Sequence, residues 1–504
     1  MLLLVVGAVV LLVVFLGRVP KSYPLTSNPI PPPAEEPSLG GGLDGFDSPY
    51  LGHTGSWDGK GGAFAGSSKA ASLDEERGMG LRWTFMPVYW RALEPDGPVD
   101  LGRETPPAWQ ALDAFVIAAR ERKLNILMQA PVVGGNAGGP PKWAGRREDG
   151  KAAPADMDAL VAFAGKLAER YRPGGTLAQR EGWGEQYGVR AWELDNEPES
   201  YLIHWKDQAG DYAEFATLAA ARIKAADPQA VVVLPGMASS RDGLDWLEAA
   251  LEATGKKGSS VFRERGKPFS IGPAADVVSF HNYEGLDSAF SDEPRTINQV
   301  LDDVRAVFEK WEQRTPGFTY PRKQEYWHTE GNYDFLGVLS KERRAAWRFQ
   351  FFTRAFAAGI RKVVVMDASE PEQKAVRAYV ETLPRPFPML SASNEVEVVN
   401  GRVAVFRHPD GAQPDAGQVW VVWALAGTGP ASVKVPVLHQ RVQVISVTGQ
   451  TNRVTAEAGR VRLDLKGEAK MPRPLLLVDR PEETTPAEEA DPNRSSRLPE
   501  NRSP

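Results

Sequence analysis

The 504-residue chain has no cysteine, which excludes disulfides, thiolate nucleophiles and cysteine-ligated metal. Histidine is scarce. The six residues His53, His204, His281, His328, His408 and His439 include no His-x-x-x-His pair, so neither a catalytic metal nor a cofactor is expected. No Gly-x-Ser-x-Gly elbow is evident, which argues against a serine hydrolase. Positive charge is not in excess. With 59 basic and 65 acidic residues the net charge is −6, so there is no electrostatic basis for gripping a phosphate backbone, and nucleic acid is not an expected partner. One long apolar run stands out at the N-terminus, Leu2 to Gly17, followed by Arg18 and Lys21. It is shorter than the roughly 20 residues of a membrane span and matches the apolar part of a signal peptide. No basic residue precedes it, and no small-x-small site follows. Residues 1–19 are therefore expected to be a signal or membrane anchor, which implies an extracytoplasmic location and a possible tether.

What is present divides the rest of the chain. Residues 20–47 hold Pro31-Pro32-Pro33 and Gly40-Gly41-Gly42, the composition of a linker. Residues 48–385 alternate short apolar runs with helical periodicity, the pattern of a parallel sheet covered by helices. Strands are predicted at 80–86, 125–130, 189–194, 230–234, 276–280, 324–329 and 361–366, with an eighth, the first in the chain, at 49–54. Helices are predicted between them, for example over 108–122, 156–171, 212–226, 297–314 and 341–358. Eight such units make an α/β fold of the (β/α)8 TIM-barrel kind. The rival is an open doubly wound sheet, but no Gly-rich phosphate turn follows the early strands. Residues 386–480 change to short strands with turn signals, the mark of a smaller C-terminal all-β sandwich. Residues 481–504 are polar and rich in Pro and Glu, and are expected to be disordered.

Chemistry concentrates at two strand ends. The first is Trp192-Glu193-Leu194-Asp195-Asn196-Glu197-Pro198-Glu199, where an apolar strand runs into carboxylates and an amide. Catalytic groups of a parallel barrel sit at C-terminal strand ends, because the loops there form the open face. A carboxylic acid can protonate a glycosidic oxygen while a neighbouring amide holds a sugar hydroxyl. The same cluster also reads as a helix cap entered through Pro198. The second is Tyr326-Trp327-His328-Thr329-Glu330-Gly331-Asn332, three strand–helix units further on. On strands four and seven of a closed barrel, Glu197 and Glu330 would face one another across the mouth. The plainer reading of Glu330 is a loop residue among aromatics. His328, two residues earlier, could share its side. The 14 tryptophans suit core packing or a sugar groove, and Trp143, Trp205 and Trp327 are the candidates for stacking.

These segments resemble glycoside hydrolase clan A, the retaining (β/α)8-barrel glycosidases, and the appended β-domain resembles family 39-like members. The resemblance implies that Glu197 is the acid/base and Glu330 the nucleophile of a double displacement on a poly- or oligosaccharide. It implies that Asn196 bonds the 2-hydroxyl. In Asp276-Val277-Val278-Ser279-Phe280-His281-Asn282-Tyr283 it implies that His281 and Tyr283 line the subsite, with Tyr283 contacting the nucleophile. Arg82, within Gly80-Leu81-Arg82-Trp83, resembles the strand-two arginine that supports the nucleophile. Pro141-Lys142-Trp143 resembles the loop after strand three. Two places depart from the pattern: strand three reads Met128-Gln129-Ala130 where a histidine is common, and strand eight reads Val365-Met366-Asp367 where a tryptophan is usual. The alternatives are a glycan-binding pseudoenzyme and a membrane-tethered scaffold on the same barrel.

Overall fold

The computed structural model describes residues 39, 43–53, 66–133, 139–147, 153–199, 205, 209–237, 241–253, 275–284, 296–314, 325–333, 339–389, 396–407, 417–466 and 471–480. The apolar segment 1–19, most of the linker and all of the tail lie outside the described residues. Among the described residues no helix is long and apolar enough to cross a membrane.

Eight parallel strands close a barrel: β1 (Tyr50–His53), β2 (Trp83–Tyr89), β3 (Asn125–Val132), β4 (Ala191–Glu193), β5 (Val231–Leu234), β6 (Val277–His281), β7 (Glu325–Glu330) and β8 (Lys362–Met366). β1, the strand with the weakest sequence signal, pairs with both β2 and β8 and so completes the ring. A helix follows each strand: α1 (Gly66–Gly78), α2 (Pro107–Glu121), α3 (Met157–Tyr171), α4 (Ala209–Ala226), α5 (Arg241–Ala253), α6 (Ile297–Arg314), α7 (Lys341–Ala357) and α8 (Glu370–Thr382). Their patterning explains the packing. In α6, Ile297, Val300, Leu301, Val304, Phe308 and Trp311 form one buried stripe at helical spacing. Local caps set the starts. Asp156 accepts from Ala159 N at 2.9 Å before α3, and the Glu372 carboxylate takes both the N–H and the hydroxyl of Ser369 at the start of α8.

The barrel interior is layered. At the N-terminal end Trp83 and Trp327 meet edge to face at 5.8 Å, and Phe46 packs on Trp83 from below. Lys362 Nζ stands 4.3 Å from the Trp83 ring centre and 5.0 Å from that of Trp327, and donates to the carbonyls of Phe46 and Ser48. Aliphatic side chains such as Val231, Val233, Val277 and Val364 fill the middle. Above them the inward positions turn polar, with Gln129, Glu193, Ser279 and Thr329 all buried.

The C-terminal domain is a β-sandwich. One sheet has the order β15-β14-β17-β12-β11-β9 and the other β10-β13-β16, where β9 is Phe387–Pro388, β10 Glu397–Val399, β11 Gly401–Arg407, β12 Gln418–Ala424, β13 Ala431–Pro436, β14 Arg441–Ser446, β15 Thr451–Thr455, β16 Arg460–Leu465 and β17 Leu475–Asp479. Alternation along β12 serves two cores. Trp420, Val422 and Ala424 pack between the sheets, while Val419, Val421 and Trp423 join the apolar layer of the barrel helices. Gln350 of α7 donates to Pro472 O across this junction.

Candidate active site

The C-terminal strand ends bring Asn196, Glu197, His281, Tyr283 and Glu330 to one mouth. β4 ends at Glu193, and the chain then turns sharply, with Asp195 at φ 75° and Glu197 at φ 37°. Left-handed backbone at non-glycine residues costs about 1–3 kcal/mol each and is held only by its surroundings. Here the surroundings are specific. The Asp195 carboxylate accepts from Trp205 Nε1 at 2.6 Å, Asn196 N at 2.9 Å and Val133 N at 3.3 Å. Glu197 N donates to Gly236 O at 3.1 Å. The turn thus lifts the Glu197 side chain into the mouth, where it is 21% exposed, as is that of Glu330.

His281 ends β6 and lies between the two glutamates. Its Nδ1 is 2.8 Å from Glu197 Oε1 and 3.9 Å from Glu330 Oε2. Burial alone would push this imidazole down. The carboxylates of Glu330, Glu197 and Glu193 outweigh burial and lift it to about 9. Tyr283 donates from its hydroxyl to Glu330 Oε1 at 2.6 Å, and burial and the Glu330 charge push its own ionisation well up, so it stays a donor. One oxygen of Glu197, one of Glu330 and one ring nitrogen of His281 converge within 4.8 Å of one another. These are the donor types that a cation takes, but the His281–Glu197 and Tyr283–Glu330 hydrogen bonds engage them with one another and with the phenol.

The layer beneath lies outside the residues expected at the site. The Glu193 carboxylate is fully buried and accepts from Ser279 Oγ at 2.5 Å, Thr329 Oγ1 at 2.9 Å, Gln129 Nε2 at 3.1 Å and Gly236 N at 3.2 Å. Gln129 Nε2 also donates to Asn196 Oδ1 at 3.0 Å. The available signal was the alternation of small polar residues on inward positions, Ser279 two before His281 and Glu193 two before Asp195.

Other expected site residues fall elsewhere. Arg82 does not reach Glu330. β2 begins at Trp83, three residues later than the predicted strand, so Arg82 lies at the opposite end of the barrel, where its carbonyl accepts from Asn125 N. Trp327 does not line the mouth. It points inward three residues below Glu330, fully buried in the barrel floor, with Nε1 donating to Glu325. At roughly 3.3 Å per strand residue that is about 10 Å down. Trp143 follows β3 on the single turn Lys142–Ala144, half-buried, edge to face with Trp90 and donating to Glu94 O. Trp205 is fully buried behind Asp195. His328 faces the helix layer, between Phe280 and Phe351, and burial holds it well below its ordinary value.

No family model and no curated protein matches the sequence. Solved structures do. A family 39 β-xylosidase from Caulobacter crescentus superposes with TM-score 0.54 at 15% identity, over 88% of this chain and 98% of that one. The fold is one that known glycosidases share. A glucosidase from Croceicoccus marinus gives TM-score 0.55 at 14% identity, over 81% and 92% of the two chains. AbfB, a family 51 α-L-arabinofuranosidase from Bifidobacterium longum, gives 0.53 at 11% identity, over 92% and 98%. At these identities the likeness is one of fold, and it covers the β-sandwich together with the barrel.

Proposed function

We propose that the protein is a retaining glycoside hydrolase acting on an oligo- or polysaccharide. The observation that carries this reading is the approach of Glu197 and Glu330 to within 4.8 Å across the barrel mouth. Carboxyls about 5–5.5 Å apart leave no room for an intervening water and suit a double displacement, whereas inverting pairs stand about 6.5–9.5 Å apart. The fold shared with xylosidase, glucosidase and arabinofuranosidase structures supports the same class.

In this reading Glu330 attacks the anomeric carbon through Oε2, because Tyr283 occupies Oε1. Glu197 delivers its proton to the departing glycosidic oxygen. A covalent glycosyl ester on Glu330 forms as the C–O bond to the leaving group breaks. Water then attacks the same carbon, Glu197 takes its proton, and the Glu330 carboxylate is released. Asn196, held by Gln129, is placed to bond a hydroxyl of the sugar next to the reacting centre. Export or anchoring through residues 1–19 belongs to the reading on the strength of the Leu2–Gly17 run alone.

The test is reducing-end release from a panel of glycans by the wild type, Glu197→Gln and Glu330→Gln, with the first-formed anomer read by proton NMR. Release with retained configuration, reduced about 10²–10⁴-fold or more in both variants, supports the proposal. Inverted product, or unchanged release in either variant, overturns it. Glycan binding with no release from the wild type selects the pseudoenzyme alternative.

A further inference from the structure

Glu193 takes no part in the double displacement, yet its carboxylate lies beneath the mouth with no exposed surface. Four donors from four strands or strand ends point at it: Gln129 from β3, Gly236 from beyond β5, Ser279 from β6 and Thr329 from β7. Burial pushes the Glu193 carboxyl up, and His281 with the hydrogen bonds from Ser279, Thr329 and Gly236 pulls it back toward the anion. Two of these donors lead directly to the proposed catalytic groups. Gly236 gives its N–H to Glu193 and its carbonyl to the N–H of Glu197. Its bare α-carbon also seats the His281 ring, since a Cβ there would come within 2.0 Å of His281 Cδ2. Gln129 gives its amide to both Glu193 and Asn196.

We propose that Glu193 is the buried positioning carboxylate of this site, aligning Glu197 through Gly236 and Asn196 through Gln129, and set as the inner counter-charge to His281 between the two glutamates. The proposal rests on the glycosidase reading only for its kinetic consequences. The groups facing His281 are few. Glu193 and Glu197 approach from β4 and the turn after it, Glu330 from β7, and the Tyr283 phenol comes from its own strand end. Among the described residues His328 on β7 is the remaining titratable neighbour, and burial keeps it neutral. Removing the Glu193 carboxyl therefore acts on His281 with no other described carboxyl to replace it from beneath.

The experiment is an NMR titration of the histidine side chains in the full chain, with His281 identified by its loss in His281→Gln. The wild-type midpoint is expected near 9. In Glu193→Gln it is expected to fall by about one pH unit. With a substrate in hand, kcat/KM should fall roughly 10- to 100-fold and the alkaline limb of its pH profile should move down with the imidazole. An unchanged His281 midpoint in a folded Glu193→Gln overturns the proposal. Should that variant not fold, the wild-type carboxyl carbon of Glu193 decides: an ionised signal at pH 7 supports the proposal and a protonated one overturns it. Neither titration requires turnover. A chain inactive on every glycan would thus sink the glycosidase reading while leaving this one open to its own test.

Discussion

His281 Nδ1 lies 2.8 Å from Glu197 Oε1, with the histidine side chain 1% exposed and the glutamate 21% exposed. The buried partner thus feeds a hydrogen bond to one that faces the mouth. Because His281 is lifted to about 9, it carries charge across the neutral range and loses it near pH 9. Activity of the wild type should therefore fall with an alkaline limb near 9. His281→Gln should lower kcat/KM by about 10–100-fold and abolish that limb. The same group affects stability. Its folded-state value is raised, so its contribution is complete below about 6.5 and is lost as pH rises through about 9. The difference in Tm between wild type and His281→Gln should shrink across that window.

Tyr283→Phe removes the hydroxyl that donates to Glu330. A hydrogen bond to a charged group contributes about 1.5–3 kcal/mol, so kcat should fall by roughly 10- to 100-fold. On the proposed mechanism KM should change little, since there the phenol orients the nucleophile rather than the sugar. Steady-state kinetics on one aryl glycoside would separate the two parameters, and a pure KM effect would reassign Tyr283 to substrate binding.

Lys362 is buried in the floor, and burial lowers its ammonium to about 7 against the pull of Glu325 and Asp47. The ring faces of Trp83 and Trp327 favour the charged form. Where the folded group releases its proton before the unfolded one, the unfolded chain binds more protons and stability rises with pH. Wild type should therefore gain stability between about pH 7 and 10.5, by at most about 5 kcal/mol. Lys362→Met should lack this rise, so its Tm relative to wild type should be highest at pH 7 and decline toward pH 10. A pH-independent offset from the two lost carbonyl contacts is expected in addition.

Gly236 has ordinary backbone torsions, so alanine is conformationally acceptable there, and only space forbids it. Its Cβ would come within 2.1 Å of His281 Nε2. Gly236→Ala should displace the ring and lower kcat/KM at least about tenfold, with circular dichroism unchanged. Wild-type kinetics in this variant would show that the ring has room to shift without consequence.

The barrel was legible because its strands are short, apolar and separated by helices with clear stripes, and because both glutamates follow such strands directly. Where legibility failed, register was the cause. Gly80-Leu81-Arg82-Trp83 continues an apolar run with no terminator, so the strand was placed three residues early and Arg82 was assigned to the wrong end. Trp327 was misjudged because nearness in sequence to Glu330 is distance along a strand in space. In the sandwich, β15 is hard to read because Thr451–Thr455 is mostly polar and exposed, and lacks alternation. β17 is hard to read because Leu475–Asp479 is a continuous apolar run after a Pro-containing stretch. The Glu193 layer was hard to read for a different reason: its members come from four separate strands or strand ends, and no local motif joins Gln129, Glu193, Ser279 and Thr329.

The floor has a directional consequence. Phe46 and Ser48 are tied to Lys362, and Leu39 and Leu43 pack against the same cluster, so the chain approaches the barrel from beneath. Glu197 and Glu330 open at the other pole. The described entry of the chain and the mouth therefore lie at opposite ends of the barrel, and neither crowds the other.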